Sequence, residues 1–351
     1  MNWQKFANDI VPADTEWRRR AADRLREQTR PAGSLGRLEE VAERLVAIQR
    51  LDKPSVSRKR ILIFAADHGV TAEGVSLYPR EVTCAMVLNF IHEGATINSL
   101  ARLAGAEVIV ADLGVDGDLA GVPGLVQAKV GRGTRNFCEG PAMLAEELDQ
   151  AMAAGFKLGE TAAHDGIQLL GLGEMGIGNT TSASALIAAL TRRKPETVTG
   201  RGTGLGEEAL RHKIAVIERA LELHAPVLTN PLSIMQCLGG FEIAGLCGAI
   251  LAAAKARIAI VIDGWIVSAA ALAAIRLNPA ILDYLFFAHR SEEYGHRLLL
   301  EELEVRPLLD LGMRLGEGSG AALAMPIIEA AARIYCEVAT FAEAGVANRH
   351  A

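Results

Sequence analysis

Basic patches are missing from this sequence. Its 36 lysines and arginines are outnumbered by 42 aspartates and glutamates, leaving a net charge of −6. The densest cationic run, Arg18, Arg19 and Arg20, has acidic residues beside it. A phosphate-backbone surface needs a basic face, so nucleic acid is not an expected partner. Cysteine is sparse as well. Cys84, Cys138, Cys237, Cys247 and Cys336 are odd in number, scattered, and form no C-x-x-C pair. That argues against a zinc site or a disulfide framework and points to a reducing cytoplasm. Aromatic residues make up only 5% of the chain, so the core must be largely aliphatic. Long uninterrupted apolar runs are also absent. The most apolar stretch, "FEIAGLCGAILAAAKARIAIVIDG", is broken by Lys255 and Arg257. A buried helix followed by a buried strand fits it better than a membrane span. The first residues, "MNWQKFANDIVPAD", are polar and carry no signal core.

What is present is a globular composition, with 50% hydrophobic residues and 35 glycines in 351 positions. That length supports a large core and more than one domain. The first sixty residues read as helices. Asp14 caps one, and Ser34 is placed to cap a second, where Leu35, Leu38, Val41, Leu45 and Ile48 form one apolar face. From about residue 60 the pattern changes. "RILIFAADHG", "AEVIVADLGVDG", "GIQLLGLGEMG" and "ARIAIVIDGW" are short apolar runs with polar or glycine-rich tails, separated by helical stretches. Continuous apolar strands alternating with helices predict an α/β fold with a parallel sheet covered on both faces. Ligands then bind beyond the carboxyl ends of the strands, where Asp67, His68, Asp112, Glu174 and Asp263 fall. After residue 290 helices return. "PIIEAAARIYCEVATFAEAG" is one, with Pro326 in its first turn and a glycine beyond its end. The expected organisation is a large α/β domain over 60–290 and a smaller helical domain from 1–50 and 295–351.

Several motifs carry possible chemistry. "GLGEMG" after a strand fits a dinucleotide fingerprint, but the acid expected about 20 residues on does not end a second strand. Extended to "GEMGIGNTTSASAL", the same loop reads as a cradle for one phosphate at a helix start, or as a plain glycine-rich connection. "TGRGTGL" followed by Lys213 is a second flexible loop. "AADHG" offers Asp67 and His68, as metal ligands or as a satisfied strand-end pair. "AHRSEEYGHR" gathers His289, Ser291, Glu292, Glu293 and His296, and reads by itself as a solvated helix start. Glu317 stands between glycines in "RLGEGSGAALAMP". Those glycines let a flat ligand approach the carboxylate, which makes Glu317 a candidate general base beside the plainer reading of a solvent-facing acid.

The motifs together resemble one family. "RPAGSLGRLE", "ADHGVTAEGVS", "GEMGIGNTT", "GGFEIAGLCGAIL", "DGWIVSAAALAA" and "MRLGEGSGAALAMPIIEAA" match, in order, the nicotinate-nucleotide–dimethylbenzimidazole phosphoribosyltransferases. The resemblance implies a Rossmann-like sheet domain, a helical domain built from both termini, and a homodimer. It implies transfer of phosphoribose from nicotinate mononucleotide to 5,6-dimethylbenzimidazole, with Glu317 as catalytic base, Glu174 facing the same cleft and inversion at the anomeric carbon. No pyrophosphate leaves, so no metal or other cofactor is expected. Phosphate is expected at Gly176, Gly178, Asn179, Thr180 and Gly202, with Lys213 as counter-charge. Gly264 and Ser291 match positions near the nucleotide. Tyr78, Met86, Met175 and Leu315 are expected around the base, Tyr78 and Met86 standing where the family would carry a small polar residue and a glutamine. Two other classes fit parts of the pattern: a nicotinamide-dependent oxidoreductase using "GLGEMG", and a non-catalytic nucleotide sensor.

Overall fold

The computed structural model describes residues 1–202 and 204–347. Six parallel strands form one sheet in the order β3-β2-β1-β4-β5-β6. They are β1 (Lys59–Ala66), β2 (Ala106–Gly114), β3 (Leu125–Gln127), β4 (Leu169–Met175), β5 (Ala259–Ile262) and β6 (Leu285–Phe287). β1, β2, β4 and β5 are the four apolar runs of the sequence. β3 and β6, of three residues each, are edge strands that no periodicity announces. The order reverses between β1 and β4, which opens a crevice at their carboxyl ends.

Ten of the helices frame this sheet and build its crevice: α1 (Thr15–Glu27), α2 (Arg37–Gln49), α3 (Glu81–Ile91), α4 (Thr96–Ala104) and α5 (Ala145–His164), then α6 (Asn179–Thr191), α7 (Glu207–His224), α8 (Phe241–Lys255), α9 (Trp265–Leu277) and α10 (Ser319–Glu337). α8 lies across one face of the sheet and is buried along almost its whole length. Its small residues let α5 come very close. A Cβ on Gly155 would lie 1.7 Å from the carbonyl oxygen of Gly245. α4 and α10 cover the opposite face, where Met325 of α10 reaches Gly171 of β4.

The termini pack together. α2 lies against α10, and Gln28 bridges to Thr340. These helices and the sheet share one continuous core. The stretch 295–351 expected in the helical part is described as far as Ala347.

Two boundaries differ from expectation. Pro326 does not open its helix; α10 starts seven residues earlier at Ser319 and carries Pro326 inside it. Pro326 lies on the exposed face of α10, so the hydrogen bond it removes is on the water side. Ser34 does not cap α2, whose N-cap is Gly36. Asp14 does cap α1, accepting the amides of Glu16 and Trp17.

Candidate active site

A half-enclosed cavity of about 620 Å³ occupies the carboxyl edge of the sheet at the β1/β4 crevice. Its floor is the end of β4. Glu174 projects there, 6% exposed, and accepts a hydrogen bond from Asn179. Burial, with the charges of Asp263 and Glu242 adding to it, pushes the Glu174 carboxyl up to about 8, so it is protonated at neutral pH.

Met175, Gly176 and Gly178 lead from β4 into α6, whose N-cap is Gly178 in a left-handed conformation (φ 93°). The amides of Ile177, Asn179 and Thr181 bond internally, to Thr83 Oγ1, Gly176 O and Gly178 O. Thr180 sits in the first turn of α6. Its hydroxyl accepts from Nζ of Lys213, at 2.8 Å. Lys213, on α7, is fully buried, and burial draws its ammonium down to about 8 despite the nearby charge of Glu293. Gly202 completes this corner, since a Cβ there would lie 3.0 Å from Thr180 Oγ1 and 3.4 Å from Lys213 Nζ.

The opposite wall is the start of α10. Gly316, Glu317 and Gly318 have φ of 86°, 65° and 86°, three left-handed residues in succession. Glycine adopts this freely; Glu317 does so at a cost on the order of 1–3 kcal/mol, and whereas Arg50, Glu93, Arg192, Arg257 and Glu304 take the same conformation just past helix ends, Glu317 takes it at the cavity wall. The turn brings the Glu317 backbone down onto β4, where a Cβ on Gly173 would lie 2.5 Å from the Glu317 carbonyl oxygen. The Glu317 side chain is 6% exposed, and one oxygen accepts the Ile97 amide at 3.3 Å. Burial raises its pKa, the Ile97 amide draws it back, and the charge of Asp263 adds to the rise. A carboxylate so placed is a stronger base than a solvated one.

The remaining residues expected around the nucleotide and the base line the same cavity. Gly264 and Ser291 stand at the ends of β5 and β6, Tyr78 and Met86 on the loop before α3 and on α3, and Leu315 beside Glu317. Tyr78 and Leu315 are half exposed at the rim. All fourteen candidate positions thus border one space.

Sequence reasoning missed others. Arg201 and Arg314 also line the cavity, and Arg314 donates to the Gly202 carbonyl at 3.4 Å. The "AHRSEEYGHR" cluster does run into a short helix, His296–Glu302, and Glu292 is exposed, but His289, Ser291, Glu293 and His296 are buried rather than solvated. His296 accepts the Ser291 amide at 2.8 Å, and burial holds it down to about 3, hence neutral. His68 contacts Glu242 at 2.5 Å with neither exposed. Asp67 and Asp112 brace the loops after β1 and β2, accepting the amides of Asp116 and Val115. Among the described residues no group of three or more His, Cys, Asp or Glu is arranged to hold a metal, and no helix is long and apolar enough to cross a membrane.

Open parallel sheets bind ligands at such switch points. Here a buried ammonium beside a helix start suits an anion, and two buried carboxyl groups with raised pKa values suit proton transfer, the features of an α/β enzyme with a small-molecule site. Sequence comparison narrows the class. The profile of a phosphoribosyltransferase family matches residues 10–346. The chain is 53% identical to the nicotinate-nucleotide–dimethylbenzimidazole phosphoribosyltransferase of Geobacter sulfurreducens, over 97% of this chain and 96% of that one. It is 49% identical to the enzyme of that name from Chlorobaculum tepidum, over 99% of both. A crystal structure of the Thermus thermophilus nicotinate-nucleotide–dimethylbenzimidazole phosphoribosyltransferase superposes with a TM-score of 0.91 at 48% identity, covering 95% of this chain and 99% of that one. The chain belongs to this phosphoribosyltransferase family and is a transferase.

Proposed function

We propose that the cavity transfers phosphoribose from nicotinate mononucleotide to 5,6-dimethylbenzimidazole, giving nicotinate and α-ribazole 5′-phosphate, with Glu317 as general base. The observation that carries this reading is Glu317 itself, a buried carboxylate held in a strained left-handed turn at the cavity wall.

The chemistry follows from the substrates. In the mononucleotide the leaving ring is a pyridinium, which departs with its nitrogen neutral. One benzimidazole nitrogen attacks the anomeric carbon while the other carries a proton, which Glu317 removes. Attack opposite the leaving group inverts β to α. Positive charge builds on the ribose in that step, and the ionised carboxylate of Glu317 at the cavity wall favours that charge. Glu174, neutral at pH 7, serves as a hydrogen-bond donor in the same space. Holding two rings and a ribose in line supplies as much as roughly 7–11 kcal/mol of the barrier reduction.

The phosphate takes the corner of Lys213, Thr180 and Gly202. The loop offers it the amides of Gly178 and Thr180, with the α6 dipole behind them. Arg201 and Arg314 stand at the mouth of that corner. Gly264 and Ser291 lie along the nucleotide, and Met175, Met86, Tyr78 and Leu315 border the base. The reading includes a homodimer and a cytoplasmic setting, which suits five unpaired cysteines.

Incubation with nicotinate mononucleotide should release nicotinate one-for-one with consumption of 5,6-dimethylbenzimidazole. Release that is independent of the base would indicate a hydrolase instead. Activity should persist in EDTA; loss restored by magnesium or zinc would contradict metal-free chemistry. Base choice should be modest and should favour methylated over hydroxylated rings, because Met86 cannot donate a hydrogen bond and fills space adaptably. Competition between 5,6-dimethylbenzimidazole and 5-hydroxybenzimidazole should move toward the hydroxylated base in Met86→Gln, within the roughly 1–3 kcal/mol that apolar pockets discriminate. An unchanged ratio would remove Met86 from the base pocket.

A further inference from the structure

We propose that Asp263 is the positioning residue for Glu317: it fixes the left-handed turn from across the sheet and sets the electrostatic field in which that carboxylate works. The inference rests on the reading of Glu317 as base and extends it to a residue that touches neither substrate.

α10 has no cap of its own. Its N-cap is Gly318, which has no side chain, and no acidic residue lies in its first turn. Such a start leaves backbone amides orphaned, which a neighbouring side chain or water must satisfy. Asp263 does this from the end of β5. Its two oxygens accept the Gly318 amide at 3.2 Å and the Ala321 amide at 3.0 Å, spanning the first turn. The carboxylate is 1% exposed and sits at the positive end of the α10 dipole. The approach requires Gly320, because a Cβ there would lie 2.8 Å from Asp263 Oδ1 and 2.1 Å from His289 Cδ2. Glu317 is therefore clamped on both sides. Gly173 of β4 receives its carbonyl, and Asp263 of β5 holds the next amide.

The charges around Glu317 are few. Glu174 faces it from β4 with Glu242 of α8 behind, Asp263 from β5, and His289, 3.9 Å from Asp263, from beyond β6. Arg314 is on its own segment. α4 offers the Ile97 amide. On β1, Lys59 is engaged by Glu329 further along α10, and on α2 Glu39 and Glu43 are engaged by Arg30 and Arg18. Burial raises the Asp263 pKa, while His289 and the backbone amides of α10 oppose the rise. Two amides aimed at its oxygens favour the ionised form. That charge raises the pKa of both Glu317 and Glu174.

Asp263→Asn tests both halves. An amide presents its NH2 to one of the two backbone donors, so the turn loosens, and the charge is lost. The expected result is a kcat about 10–100-fold lower, the range for loss of a group that orients a catalytic one, with little change in either KM. The acid limb of the pH–rate profile should move to lower pH, because Glu317 no longer feels a neighbouring charge. Asp263→Glu keeps the charge but not the reach, so its kcat should fall while its acid limb does not move to lower pH. An Asp263→Asn kcat within twofold of the parent, or an unmoved acid limb, would overturn the proposal. Should that variant unfold at the assay temperature, full activity in Asp263→Glu would overturn it equally. Glu317→Gln, assayed alongside, separates the two claims: if it turns over normally the base assignment fails, whereas an inactive Glu317→Gln with an unaltered Asp263→Asn removes only the positioning role.

Discussion

Glu317→Gln should lose on the order of 10²–10⁴-fold in kcat while keeping both KM values and the fold. Glutamine preserves the size of the side chain and can still accept the Ile97 amide that the carboxylate accepts at 3.3 Å. The left-handed turn is set by Gly316, Gly318 and Asp263 rather than by the carboxylate, so the backbone has no reason to move. What disappears is the group that takes the benzimidazole proton. The acid limb of the parent profile reports that group. Burial raises the Glu317 pKa, so the base is disabled by protonation at a higher pH than a solvated glutamate would be. Activity is present above that pKa and lost as pH falls through it. The residual activity of Glu317→Gln should lack this limb. Near-full turnover at saturating base would place the proton elsewhere.

Lys213→Met should lower kcat/KM for the mononucleotide about 10–100-fold, corresponding to the 1.5–3 kcal/mol of a hydrogen bond to a charged group. Methionine refills the buried volume without a charge. KM for the benzimidazole should hardly change, since the lysine stands with Thr180 and Gly202 in the phosphate corner. The sign of the pH effect follows from the depressed pKa. Lys213 is charged below about 8 and loses its proton above it, so mononucleotide capture weakens as pH rises through about 8. Glu174, with its carboxyl at about 8, ionises in the same range and stops donating. Lys213→Met should keep only the Glu174 part of the alkaline limb. Equal weakening of both substrates would place Lys213 outside the phosphate corner.

Much of this was legible in the sequence, and the exceptions share a cause. β1, β2, β4 and β5 are continuous apolar runs because both their faces are buried, a property a sequence displays directly. The start of α6 was legible from Gly178 and Asn179, and Glu317 from the glycines around it. The start of α10 was not. A local rule places Pro326 in a first turn, but the helix begins at Ser319 because Asp263, 55 residues from Gly318, satisfies its amides. The same blindness hid the burial of His289, Ser291, Glu293 and His296, which depends on contacts from Trp265 and Ser268 of α9 and from residues 198–200. Lys213 was visible as a cation near a loop. Its complete burial was not, because α7 shows a helical period with Lys213 on what turns out to be the inner face. Local chemistry is written locally; the partners that tune it come from distant strands.

The most direct measurement is the anomeric configuration of the product. The parent enzyme and Glu317→Gln would be incubated with β-nicotinate mononucleotide and 5,6-dimethylbenzimidazole, and the ribosyl linkage read by NMR. The parent should give α-ribazole 5′-phosphate alone, and the variant the same α product, formed on the order of 10²–10⁴-fold more slowly. A β-linked product, or an α product formed equally fast by both proteins, would contradict this.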